Sequence, residues 1–383
     1  MLKKLKHRIV LFLVIVCSMA LLSGCGDKKE NIEETGNNKE LQEINMIWGK
    51  NMHTGLPYLV INNPEYFKEK GIYMNTISED RYELVEDGEK VCVINFVGLQ
   101  SGTSDALMSQ GHVDAAIGSN ISTIISQDKG LKAKILSPVQ TGGMSVVFPP
   151  DSDVSGWDDV KEAILASEGP FRLGYHPPIA APRILLEYVL TEQGFKITED
   201  PSDLDADILL VDLKGNDNFL NAIPGGHCDA WVGTGPTTDL AQAGGTGKIA
   251  LELDEYPPAG KWSDSPCCVF TATEDAINNK REELKAIIRM LDESAKYFTE
   301  HREEASKELS EIIGVEEETV FNSNVRYSTE VSESWLNSIK VYIEAINKLE
   351  KFDDKFKDKS FEEISEESFD FSLLEEVKSN EKN

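Results

Sequence analysis

The sequence is short of cations. It holds 38 Lys and Arg against 67 Asp and Glu, a formal net charge of −29, and a field of that sign repels nucleic acid and anionic headgroups. No nucleic-acid partner is therefore expected. Cysteine is also scarce: six residues, with no CxxC spacing, and the adjacent pair Cys267-Cys268 is poorly placed for an unstrained bond to each other. That excludes a disulfide or zinc framework and leaves Cys92, Cys228, Cys267 and Cys268 as small buried residues. Gly244, Gly245 and Gly247 are not followed by Gly-Lys-Ser/Thr, so they mark a turn and not a phosphate loop. The apolar run over residues 9–22 is too short for a comfortable membrane span. No catalytic set is recognisable, and neither a metal site nor a cofactor is expected.

What is present begins at the amino terminus. Lys3, Lys4, Lys6 and Arg8 precede that apolar run, the pattern of an export signal, and Leu22-Ser23-Gly24-Cys25 resembles the bacterial lipobox. In that resemblance Cys25 becomes the lipid-modified first residue of the mature chain, held at the membrane by two or more acyl chains. Residues 1–24 then form the signal. Residues 25–44, polar and without an apolar period, form a tether with a mean reach of roughly 20 to 25 Å. The remaining chain exceeds the usual size of one domain.

One pattern occurs twice. Gly111-His112-Val113-Asp114-Ala115-Ala116-Ile117-Gly118-Ser119 and Gly226-His227-Cys228-Asp229-Ala230-Trp231-Val232-Gly233-Thr234 share Gly, His, Asp, Ala, the second Gly and a hydroxyl residue after it. In each, the first Gly ends a helix in the left-handed conformation and Asp-Ala leads into a short apolar strand. The second Gly ends that strand, where a hydroxyl residue can cap the following helix. Two copies imply two similar α/β halves facing one cleft. The turn histidines His112 and His227 read as structural, and Trp231 as core.

Around these copies, strands are predicted over residues 45–49, 91–97, 134–136, 171–175, 207–213, 248–253 and 267–271. Helices are predicted over 105–110, 121–127, 157–166, 180–193 and 237–243. Residues 145–148, stopped by Pro149-Pro150, read as a crossing strand. Long helices follow residue 278, with Leu284, Ile287, Ile288 and Leu291, then Ile339, Tyr342, Ile343 and Ile346, at helical spacing. The final 33 residues read as a short docking segment and a frayed end. Strands alternating with helices imply parallel sheets whose ligands bind beyond the carboxyl ends of the strands.

Gly55-Leu56-Pro57-Tyr58 ahead of Glu65-Tyr66-Phe67-Lys68-Glu69-Lys70-Gly71, both Gly-x-x-Asp-Ala units and Ser265-Pro266-Cys267-Cys268-Val269 resemble the nitrate/sulfonate/taurine and thiamine-precursor type of substrate-binding lipoproteins of ABC importers. The resemblance spans about residues 45–297. It implies a type II periplasmic-binding-protein fold: an α/β chain with lobe I starting over residues 45–150, lobe II over 151–266, and the return crossing with C-terminal helices packed on lobe I over 267–383. By position it implies ligand contacts from Thr54, Tyr58, Ser101, Thr103, Ser119, Asn120, Tyr175, His176, Thr234 and Pro236. Gly235 stands where family members often carry an acidic or aromatic residue. The implied protein is a monomer and not an enzyme. It sits outside the cytoplasm on its lipid anchor, takes a small organic anion or a planar heterocycle, and partners an ABC permease and its ATPase. The predicted cleft loops contain no Lys or Arg, so an anion would rely on helix N-termini, hydroxyls, Asn120 and His176. Two other classes stay open: an enzyme related to thiamine-pyrimidine synthases, which carry a His and a Cys-rich run, and a ligand-sensing lipoprotein.

Overall fold

The computed structural model describes residues 41–98, 104–262 and 264–380. The lipobox, Cys25, and the loop residues Ser101 and Thr103 lie outside them. Among the described residues fourteen strands form two sheets: β1 Gln42–Ile47, β2 Ile72–Ser78, β3 Arg81–Glu86, β4 Glu89–Phe96, β5 Ala115–Ser119, β6 Ala133–Thr141, β7 Met144–Phe148, β8 Phe171–Tyr175, β9 Ile197–Thr198, β10 Ile208–Asp212, β11 Ala230–Thr234, β12 Lys248–Glu252, β13 Pro266–Thr273 and β14 Arg326–Tyr327. The larger sheet runs β14-β6-β13-β5-β1-β4-β3-β2 and the smaller β12-β7-β11-β8-β10-β9.

The two copies of the repeated pattern occupy matching places. β5 lies parallel to β1 and antiparallel to β13 in the larger sheet, and β11 lies parallel to β8 and antiparallel to β7 in the smaller. Both opening glycines have positive φ, 74° at Gly111 and 69° at Gly226. In both, the next amide reaches five residues back, His112 to the Leu107 carbonyl (3.0 Å) and His227 to the Ala222 carbonyl (2.8 Å), as in a Schellman helix end. His112 and His227 are exposed, as expected of turn residues.

The crossing between sheets differs from the expectation. Residues 145–148 belong to β7, paired on both sides within the smaller sheet, and the chain crosses at Gly142-Gly143, just before it. A side chain at Gly142 would put its Cβ 2.1 Å from the Asn324 carbonyl oxygen, so a neighbouring backbone, not an apolar period, sets this turn. β1 also begins earlier than predicted, because Glu43 is held by Arg81 (2.7 Å) and Asn95 (2.9 Å) across the sheet. The β2–β3 hairpin was not anticipated.

The periodic helices bury the stripes that announce them. Leu284, Ile287, Ile288 and Leu291 of helix Arg281–Glu300 are fully buried, and each such side chain contributes about 1.5 to 3 kcal/mol. This helix packs on Leu56–Asn62 and on the C-terminal helix Ser372–Asn380. The tail is thus docked, as expected, through Leu373, Leu374 and Val377, with the Asp370 N–H donating to the Ile135 carbonyl (3.0 Å), and is helical to Asn380; the residues after it lie outside the described ones. Helix Glu333–Lys348 packs on β13 and also reaches helix Ala181–Glu192 behind the smaller sheet, where Lys348 pairs with Glu192 at 2.5 Å.

Candidate functional site

A cleft of about 460 Å³ lies where the carboxyl ends of β1 and β5 meet those of β8 and β11, with the start of β13 at its side. Five of the predicted site residues line it: Thr54, Ser119, His176, Thr234 and Pro236. Each is held by local chemistry. Asn51 accepts the N–H groups of His53 (2.8 Å) and Thr54 (3.1 Å), turning the loop after β1, and the Gly49 N–H donates to Thr54 Oγ1 (2.8 Å). Ser119 caps helix Asn120–Asp128, accepting the Ser122 N–H at 3.4 Å. His176 Nδ1 sits 2.9 Å from Asp212, which Lys214 also holds at 2.8 Å. Burial opposes it, but hydrogen bonds from Lys214 and His176 bring the Asp212 carboxyl down to about 2, so a fixed carboxylate orients the imidazole. Thr234 ends β11, and Pro236 follows Gly235.

Three predicted residues do not line the cleft. Tyr58 is buried against Trp48 and Phe96, and burial pushes its phenol up to about 12. Tyr175 lies under the Arg183 guanidinium, 4.5 Å from its ring centre. Asn120 is fully buried, and neither atom of its amide has a partner among the described residues. In each case the backbone position was suitable but the side chain turned inward, which the motif spacing does not encode.

Other lining residues went unanticipated. Trp48 and Phe219 supply aromatic surface, and His53, Cys267 and Cys268 lie together at one side. His53 Nδ1 is 3.2 Å from Cys267 Sγ, and the two sulfurs are 3.9 Å apart. A hydrogen bond from Cys268 brings Cys267 below the usual thiol range; burial opposes this and the His53 charge assists it. Cys268 rises in turn through the same hydrogen bond. Cys92 and Cys228, by contrast, are simply buried, which pushes each thiol up to about 12. No Lys or Arg lines the cleft among the described residues.

Two α/β sheets facing one cleft across a crossing connection define the periplasmic-binding-protein class of fold. Solved structures share it: the periplasmic nitrate-binding protein NrtA of Synechocystis PCC 6803 (TM-score 0.62, 14% identity, 89% of each chain), a zinc-bound ligand-binding component of an ABC-type import system of Staphylococcus aureus (0.61, 12%, 88% of this chain and 99% of that one), and the alkanesulfonate-binding protein SsuA of Xanthomonas axonopodis pv. citri bound to MOPS (0.57, 12%, 81% and 94%). At such identities the likeness is one of fold alone. The chain belongs to the NMT1-like family, whose profile matches residues 38–314. An uncharacterised protein of Methanocaldococcus jannaschii is 26% identical over 141 residues, 36% of this chain and 92% of that one.

Proposed function

We propose that the chain is an extracytoplasmic solute-binding lipoprotein that captures a small molecule between its lobes and delivers it to an ABC permease. The observation carrying this reading is that matched strands of the two sheets, β5 and β11, end in hydroxyl residues, Ser119 and Thr234, on one shared cleft. Solute held by both gains the second set of contacts only when the lobes close, so its differential affinity drives closure. The nitrate and alkanesulfonate proteins that share the fold support solute capture as the role. Lipid on Cys25 supplies the anchor in this reading; among the described residues no helix is long and apolar enough to cross a membrane.

The lining favours a planar ring with a polar edge. Trp48 and Phe219 offer ring faces, His176 and the hydroxyls offer edge contacts, and among the described residues no lining cation is present to neutralise an anion. A small anion is the second reading, favoured by one observation: the N-terminus of helix Asn120–Asp128, capped by Ser119, opens on the cleft. Thermal-shift screening with a panel of heterocycles and a panel of sulfonates and nitrate separates them. A ligand at 100 times its Kd stabilises the fold by about 2.7 kcal/mol. Silence toward both panels at millimolar concentration sinks both solute classes.

A further inference from the structure

Adjacent residues on a regular strand point to opposite faces. β13 breaks that rule where it matters. Against β6, Pro266 pairs with Thr141 and Cys268 with Gln140, so Cys267 is an extra residue with no partner of its own. Such a bulge re-aims side chains, and here both thiols line the same cleft. His53 arrives from the loop after β1, and the donor atoms of all three residues lie within 4.8 Å of one another. A tetrahedral ion with metal–sulfur bonds of about 2.3 Å holds its sulfur ligands about 3.8 Å apart. The sulfurs stand at 3.9 Å, and Nδ1 lies 3.2 Å from the nearer one, so modest side-chain adjustment suffices. His53 Nε2, on the far side of the ring, is buried without a hydrogen-bond partner among the described residues. Across Gly235 stands Asp239: a Cβ built on Gly235 would lie 2.8 Å from its Oδ2 and 3.9 Å from His53 Nε2. A carboxylate beyond the second nitrogen is the usual companion of a metal-ligating imidazole.

We propose that His53 Nδ1, Cys267 Sγ and Cys268 Sγ form a three-ligand site for a thiophilic d¹⁰ cation, Zn²⁺, with the fourth coordination position open to the cleft. Two sulfur donors and an imidazole select such ions over Mg²⁺ or Ca²⁺, which take oxygen ligands. On binding, each thiol that still carries a proton releases it to water, and two thiolates balance the charge of Zn²⁺. The inference rests on the solute-binding reading in one respect: the open position accepts a nitrogen or sulfur donor of the captured solute.

The test uses the full chain, purified under reductant and stripped by chelator, then titrated with Zn²⁺ against a chromophoric chelator and with Co²⁺ for a sulfur-to-metal charge-transfer band. One Zn²⁺ per chain and a thiolate–Co²⁺ band are expected. Cys267→Ser, Cys268→Ser and His53→Ala should each weaken Zn²⁺ binding by about 100-fold or more, beyond the 10- to 100-fold typical of groups outside the ligand shell. Cys92→Ala should leave it unchanged. Cys267→Ala with circular dichroism separates a lost ligand from a lost fold. No Zn²⁺ uptake, or uptake insensitive to both cysteine changes in a folded protein, overturns the site. A chain that takes no Zn²⁺ but responds to a solute panel loses this inference and keeps the proposed function. A chain that binds Zn²⁺ through the trio yet ignores both panels, with and without the metal, keeps the site and loses those solute classes.

Discussion

The two copies of the repeated pattern share a scaffold and differ in what they present to the cleft. In the first, the Asp114 carboxylate accepts the Asn45 N–H (2.8 Å), while its own N–H donates back to the Asn45 carbonyl (2.9 Å). In the second, Asp229 does the same with Arg172, at 2.8 Å each way. The Asp of each copy therefore stitches its turn to the neighbouring parallel strand. Beyond the second Gly the copies part. Ser119-Asn120 starts a nine-residue helix, whereas Thr234-Gly235-Pro236 folds a tight corner with its N–H at Gly235 bonded to the Gly143 carbonyl (3.0 Å). The shared half of the motif builds the sheets, and the divergent half shapes the cleft.

The largest effect should separate the two stitches. Asp114 also receives Lys280 (2.8 Å) and its side chain is 16% exposed, against 33% for Asp229 beside Arg172. Asp114→Ala should therefore cost about 3 kcal/mol and Asp229→Ala about 1 to 2 kcal/mol, since a partner left unpaired in a drier site loses more. Denaturant midpoints of the two variants check this, and equal losses would break the proposed difference in setting.

A second asymmetry is a carboxyl near the smaller sheet's edge. Burial pushes Glu252 up to about 7, with the Ser145 hydroxyl donating to it at 2.8 Å. Its folded value lies above its unfolded one, so the stability it confers is complete below about pH 4.5 and lost as pH rises through about 7. Glu252→Gln should remove that slope and leave the variant more stable than the parent at pH 8 by about 2 kcal/mol. Parallel stability curves for the two proteins from pH 4 to 8 would rule it out.

The strand-end glycines sharpen the contrast further. A Cβ at Gly233 would lie 3.0 Å from the Trp231 ring, whereas one at Gly118 meets its nearest atom, the Ser104 hydroxyl, at 3.6 Å. Gly233→Ala should cost about 1 to 2 kcal/mol by overpacking, and Gly118→Ala close to nothing. Thermal midpoints that fall equally would show that strand twist, not the tryptophan, demands glycine. The smallest effect belongs to the hydroxyls: Ser119→Ala and Thr234→Val should each weaken solute binding two- to tenfold, the loss of one neutral hydrogen bond of about 0.5 to 1.5 kcal/mol. Calorimetry with an identified ligand measures it; unchanged affinity in both moves the binding site elsewhere.

Much of the fold was legible because its signals are local. The apolar stripes at 284–291 and 339–346, the duplicated turn and the alternation of strands with helices each follow from backbone geometry within a few residues. Five site positions were legible for the same reason, since a strand end and a cap place a backbone in a cleft. Side-chain direction was not: Tyr58, Asn120 and Tyr175 turned inward because neighbours on other elements, Phe96 of β4 for Tyr58 and Arg183 of the following helix for Tyr175, settle their packing.

By itself, the sequence determined the two α/β halves, the acidic and cation-poor surface, and the matched corners at Ser119 and Thr234, because each depends on composition or on short-range turn chemistry. Only the tertiary structure decided that the chain crosses at Gly142-Gly143, that the tail docks as helix, and that His53 meets Cys267 and Cys268. The last depends on a one-residue slip of β13 against β6, across more than a hundred residues of chain, and on the loop after β1, two strands away in the sheet. Register between distant strands is set by the whole packed sheet, and no local pattern carries it.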